Sequence, residues 1–496
     1  MGAASPRDAG RGFADHDKEE RVNTRMVKTL LLSLALASPF AATTAAAQSV
    51  SGEQWLAHVN KDLLPFWSSK DALGDPPGAF PSFRCNDGKR FDPQAPCPEL
   101  QNPPAWIKSE VGRDYLRMQG RQTFAYGVAF HLTGDRRWLE AARNGAAFTL
   151  AQRDAAGGYP SWLENGKPMP EESARTAQDQ AYNVVGLAML FYLTRDAEIE
   201  KSLVAQEAYV FERFWDADAG MLRWVPADGP ADEARRKELV AQLDQLNAYM
   251  LLVTPYLSEP ARSVWRRDIR RLCDLMLERY YDKESGRFFG TLDQPDSQQP
   301  GARHNDFGHT IKTYWMLLLA ARELGDSKLE AFAIDGARKQ LAAAWDAESG
   351  AWGSAWTATG IDPNKSWWIY AELDQVASTL ALEDRSQARY LKTSWPFWLK
   401  YLTDHHDGEI FGGVSRSGAS WPNQLKIHQW KSGFHSFEHA LVSYLTAQAL
   451  AGKPATLYFA VDKAKADFRP YVLPGKVLKV EKRAGVEKVR FAVGKR

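Results

Sequence analysis

Five times along the chain an Asp stands four residues ahead of a Gly, with an aromatic residue close behind, and the copies recur about every 60 residues. They are Asp154 with Gly158 and Tyr159, Asp216 with Gly220 and Trp224, Asp282 with Gly286 and Phe288, Asp346 with Gly350 and Trp352, and Asp404 with Gly408 and Phe411. An Asp carboxylate bonds backbone two residues on and Gly accepts a positive φ, so each copy ends one element and reverses the chain. Between copies lie two segments with helical apolar spacing, such as 181–192 and 197–214. The repeating unit is therefore a helix pair, and one pair cannot bury its own apolar face. About six pairs in a ring can, which predicts an all-α fold, an (α/α)6 barrel, with the Asp-Gly turns on one rim.

The chain has 496 residues, long for one domain, but a ring grows by repetition where a simple core does not. No Pro/Gly/Ser linker divides the middle, so the barrel is expected over residues 48–452. With 62 Lys and Arg against 61 Asp and Glu, dispersed through the helices, a nucleic-acid partner has no electrostatic footprint. The expected partner is a small neutral molecule.

Met26 opens a stretch with Lys28, an apolar run to Ala42 and the small residues Ala45, Ala46 and Ala47. This reads as a signal peptide, 26–47, with maturation before Gln48 and residues 1–25 an extension ahead of the true start. A periplasmic or secreted protein is expected, with no stable membrane insertion after cleavage. Cys85 and Cys97 lie in a Pro- and Gly-rich loop from Gly74 to Pro104, where a disulfide would close a short ring. Cys273 sits in a helical pattern as a buried small hydrophobe, and no zinc spacing is present. From Lys453 on, alternation and β-branched residues predict a small β appendage over 453–496, where twelve Lys and Arg stand against four Asp and Glu. It is read as a cap on the barrel, or as a basic docking surface.

Three segments place polar and aromatic residues at the start of an inner helix: 308–312 with Trp315, 365–372, and 430–438. By the order and spacing of these motifs the region from Trp55 to Leu450 resembles the N-acylglucosamine 2-epimerase superfamily, which includes mannose isomerases, sulfoquinovose isomerases and cellobiose 2-epimerases. The string Lys365-Ser366-Trp367-Trp368 ending at Glu372 is the most specific match, joined by Arg121 and by Asp179 and Tyr182. The resemblance implies cofactor-free, metal-free proton transfer at C2 of an opened reducing sugar between His309 and His435, with Arg121 holding the oxygen that gains charge. Trp367 and Trp368 would give flat faces to the sugar, with Glu372, Lys365, Asp179 and Tyr182 beside it.

Three positions depart from the family pattern. Lys312 stands where the family carries an acid three residues after its histidine, and Glu438 where it carries a base. The exchanged signs predict a Lys312–Glu438 ion pair across neighbouring inner helices. Leu251 and Thr254 replace a third histidine and a carboxylate, leaving Tyr249 as the substitute donor. Other readings of the same barrel are a glycoside hydrolase using Asp179, Asp306 and Glu372, or a lyase with His309, His435 or Tyr314 as base. A sugar-binding homologue without turnover is a further one, and a metal set from His304, Asp306 and His309 is the least specific. No oligomeric state is readable.

Overall fold

The structure, a computed structural model, describes residues 49–294, 299–422, 424–461, 467–483 and 485–494. The expected extension (1–25) and signal peptide (26–47) lie outside the described residues.

Six helices with almost every residue buried form an inner ring: Leu116–Thr133, 177–194, 239–253, Phe307–Leu324, Trp367–Ala381 and Phe434–Leu450. A helix buried all round must be walled by others. The walls are the one-face-buried helices 52–67, Arg136–Ala151, Ala197–Phe214, 261–280, Ser327–Ala344 and 388–402. Each inner helix packs on the next and the sixth returns to the first, so the fold is the (α/α)6 barrel. Helix 52–67 completes the sixth pair by packing on Phe434–Leu450, which joins the two ends of the chain.

The two ends of the barrel are built differently. At the floor, the first, second and fourth inner helices pass to outer ones through two residues: a left-handed Gly134, Arg195 or Gly325, then an Asp whose carboxylate caps the next helix. At the rim the returns are long and carry the Asp-Gly turns, where Asp216, for example, accepts from the amides of Asp218 and Ala219. Gly220, Gly286, Gly350 and Gly408 take positive φ as expected, but in the first copy Gly157 does so instead of Gly158. Glutamines one turn into the first three inner helices tie the returning chain down. Gln119 exchanges hydrogen bonds with the backbone of Phe80, Gln180 with Tyr159 and Gln242 with Leu222. These clamps fix the rim loops against the helix starts.

Cys85 and Cys97 are disulfide-bonded. Their loop docks on the segment before the last inner helix, through Arg84 N–H to the Ile427 carbonyl and through Asn86 to Gln424 and Lys426. Cys273 is buried, its thiol pushed up to about 12 by burial. Strands Ala455–Phe459, Gly475–Arg483 and Val486–Val493 form an antiparallel sheet with Val486–Val493 in the middle. The sheet lies on the floor: Ala460 N–H donates to the Leu193 carbonyl, and the His131 ring meets the Tyr458 carbonyl at 2.8 Å. Among the described residues no helix is long and apolar enough to cross a membrane.

Candidate active site

Asp306 caps the fourth inner helix, and one carboxylate does two jobs. Its Oδ1 accepts the His309 backbone N–H at 2.8 Å and its Oδ2 meets His309 Nδ1 at 2.7 Å. A carboxylate accepts only, so Nδ1 carries a hydrogen toward Asp306. The His309 ring is wedged between His304, 4.6 Å away, and Trp368, 4.7 Å away. Gly308 makes this possible, because a Cβ there would sit 2.4 Å from the Trp368 ring. Trp367 and Trp368 are half-buried on a helix otherwise buried from Ile369 onward, which leaves part of each side chain accessible.

His435 begins the sixth inner helix, 6.4 Å from the same Trp368 ring. Neither of its nitrogens has a hydrogen bond among the described residues, and Nε2 lies 3.7 Å from Glu372 Oε1. Burial, together with the charges of Arg121, Lys312 and Lys431, holds its pKa well below the ordinary 6.5, so the ring is a neutral base. Arg121 stacks on the Tyr182 ring at 3.9 Å and donates to the Trp430 carbonyl at 3.0 Å, while its Nε has no partner. Close helix contact allows the stack: a Cβ on Gly120 would sit 2.1 Å from the Tyr182 carbonyl. Arg121 is thus a buried cation with donor capacity to spare.

Several expected residues are committed elsewhere. Lys312 does not pair with Glu438: its Nζ donates to Asp244 Oδ1 at 2.6 Å and to Tyr182 at 2.8 Å. Burial lowers the Lys312 pKa, but the Asp244 carboxylate outweighs it and leaves the ammonium above its ordinary range. Tyr182 itself donates to Asp244 and so serves this network. Tyr249 faces outward, donating to Gln245 and packing edge-on against Trp265 of an outer helix, so it is no substitute donor. Lys365 is fully enclosed and ties down a rim turn through Asp346 and Ser349. Asp179 is held by Arg117 at 2.7 Å. Leu251 lies toward the floor in a cleft shared with Leu319 and Tyr471. Tyr314 donates to the Gly286 carbonyl in a rim turn, away from any role as a base.

One layer beneath the imidazoles lie two carboxyls that lack full partners. Both oxygens of Glu372 are buried without a hydrogen bond, and Glu438 has one bond, from the Tyr471 hydroxyl at 2.6 Å. Both titrate above the ordinary 4.5, first because of burial, and Glu438 also because Glu372 repels a second negative charge. The reading of the sequence missed Asp244, Arg117 and Tyr471. Arg117 stands one turn before Arg121 on the same face, a spacing that was available as a signal. Among the described residues no three His, Cys, Asp or Glu are grouped to hold a metal, and His304, Asp306 and His309 contact one another instead.

No family model matches the chain. It is 23% identical over 338 residues to the cellobiose 2-epimerase of Bacteroides fragilis, covering 64% of this chain and 84% of that one. It is 22% identical over 329 residues to the N-acylglucosamine 2-epimerase of Bos taurus, covering 61% and 74%. The solved cellobiose 2-epimerase of Bacillus thermoamylovorans superimposes with a TM-score of 0.64 at 16% identity, over 79% of this chain and 98% of that one, and so shares the fold.

Proposed function

We propose that the chain is a member of the N-acylglucosamine 2-epimerase superfamily and that it epimerises or isomerises a reducing sugar or short saccharide at C2 by proton transfer through His309 and His435. One observation carries the reading: two imidazoles, His309 and His435, lie against the same half-buried Trp368 indole, with Arg121 on the neighbouring wall. In the opened sugar the C2 hydrogen is acidified by the adjacent carbonyl. One imidazole removes it, and charge develops on the carbonyl oxygen, where the Arg121 guanidinium has an unused N–H. The second imidazole returns a proton, to C2 for the epimer or to C1 for the ketose, the latter with the O2 hydroxyl proton passing to O1. Asp306 supports this by fixing the tautomer of His309, and Trp368 gives the apolar face of the sugar a platform.

Incubation with cellobiose and with D-mannose in D2O tests it. Loss of the C2 proton signal by NMR is expected with at least one of them, and unchanged spectra with a panel of reducing sugars would reject the reading. The carboxylates a hydrolase would use are poorly placed for paired work, since Asp179 is paired with Arg117 and Asp306 is engaged by the His309 ring and backbone. Export belongs to the same proposal, supported by the Cys85–Cys97 bond. Secreted protein whose N-terminal residue is Gln48 is the expected product, and retention of Met26 on the mature chain would refute it.

A further inference from the structure

The sheet on the barrel floor does more than cover it. Between its first and second strands the chain turns inward at Tyr471, a non-glycine residue at φ 59. That left-handed conformation costs energy and needs its surroundings to hold it. Here the Tyr471 N–H is bonded by the Tyr192 hydroxyl at 2.9 Å, and its ring packs against Phe124 and Tyr192. The side chain points up the barrel and its hydroxyl reaches Glu438, one helical turn beyond His435. Glu438 faces Glu372, and Glu372 stands 3.7 Å from His435 Nε2.

We propose that Tyr471 is a positioning residue of the reaction, whose hydroxyl steadies the charge of the Glu372–Glu438 pair on Glu438 and so keeps the space beside His435 uncharged. The inference rests on the proton-transfer reading of the site, but its physical content is the charge beside one imidazole.

The balance follows from the groups present. Facing His435 are Arg121 from the first inner helix, Asp244 from the third, Lys312 from the fourth, Glu372 from the fifth and Lys431 from the preceding segment. Facing the carboxyl pair are Lys312, Asp244, His309 and Tyr471. Of the groups that face the pair, the Lys312 ammonium is already matched by Asp244 and leaves little positive charge for two more carboxylates. Like charges in one buried site do not both ionise, and the pair holds one proton. The Tyr471 hydroxyl donates to Glu438 alone, which favours the anion there and the proton on Glu372, against the Lys312 ammonium, which favours an anion on Glu372. With a neutral carboxyl at Nε2, the imidazole has no anion to hold it as imidazolium and stays ready to accept a proton.

The test is an imidazole titration on the full chain, with histidine labelled at Cε1 and the His435 signal assigned by its loss in His435→Gln. Removing the hydroxyl in Tyr471→Phe moves negative charge toward Glu372, so the His435 midpoint rises, by about one unit for a charge at this range. Glu438→Gln leaves all of the charge of the pair on Glu372 and raises the midpoint too. The double variant rises no further than Glu438→Gln alone. If Tyr471→Phe fails to fold, Glu438→Gln decides the matter by itself. An unmoved or lowered His435 midpoint, or additive shifts in the double variant, overturns the inference. In activity, the acid limb of the kcat profile for C2 exchange moves up with the midpoint while KM holds. If the wild type exchanges no C2 hydrogen from cellobiose or D-mannose, the function proposed above fails, and the substrate-free titration still decides the role of Tyr471.

Discussion

The mouth of the cavity and the layer just beneath it treat charge in opposite ways. At the mouth the carboxylates are held by partners: Asp306 by His309, Asp179 by Arg117, Asp244 by Lys312. Beneath, Glu372 and Glu438 share the same neutralised cation and leave three of their four oxygens without a hydrogen bond. Paired charges hold geometry, whereas under-compensated ones hold a proton whose location neighbours can set. The mouth is therefore organised to place side chains, and the layer below to regulate charge.

Four experiments press on that contrast. The largest effect belongs to the mouth: His309→Gln is expected to lower kcat for C2 exchange by about 10²–10⁴-fold with little change in the thermal midpoint. Lys312→Met strands the buried Asp244 carboxylate and should cost about 3–5 kcal/mol by urea denaturation, most of it recovered by adding Asp244→Asn. Recovery by Glu438→Gln in place of Asp244→Asn would mean that the ion pair was misassigned.

The lower layer should show itself in pH. Both of its carboxyls titrate above their ordinary 4.5. Their contribution is then full below that value and is lost as pH rises through the raised range. The urea midpoint of the wild type should accordingly fall relative to Glu438→Gln above pH 4.5, and parallel curves would mean that the pair is not strained. The smallest effect is at a rim turn. Gly220→Ala meets no atom within 4 Å but forces Ala to φ 64, costing about 1 kcal/mol without altering exchange.

Much of the architecture was legible because turn chemistry is local. An Asp and a Gly four apart announce a reversal wherever the chain later goes, and five in register announce a ring. The glycine of the first copy was misjudged by one residue, since Gly157 and Gly158 are adjacent and only geometry tells which is left-handed. In the site, His309, His435, Arg121 and the two tryptophans were legible as helix starts on a common rim. Their ionic partners were not. Lys312 and Asp244 are 68 residues apart and Tyr471 and Glu438 are 33 apart. Helical spacing tells which face is buried but not which side chain waits on the opposite helix. The third inner helix adds a π-turn at Leu246–Met250, which rotates later residues relative to the regular spacing and turned the expected Tyr249 toward the outer ring.

A closed ring also governs when the protein becomes whole. Helix 52–67 gains its largest packing partner only when Phe434–Leu450 exists, and the bridged loop near Cys85 gains its contacts to residues 424–427 only when they arrive. Nearly the entire polypeptide must emerge before the earliest helix finds its seat, so synthesis ends in a single late closure rather than a series of finished parts. A nascent chain stopped short of residue 450 is thereby an open spiral, and truncation into helix 52–67 or into Phe434–Leu450 should abolish C2 exchange all at once.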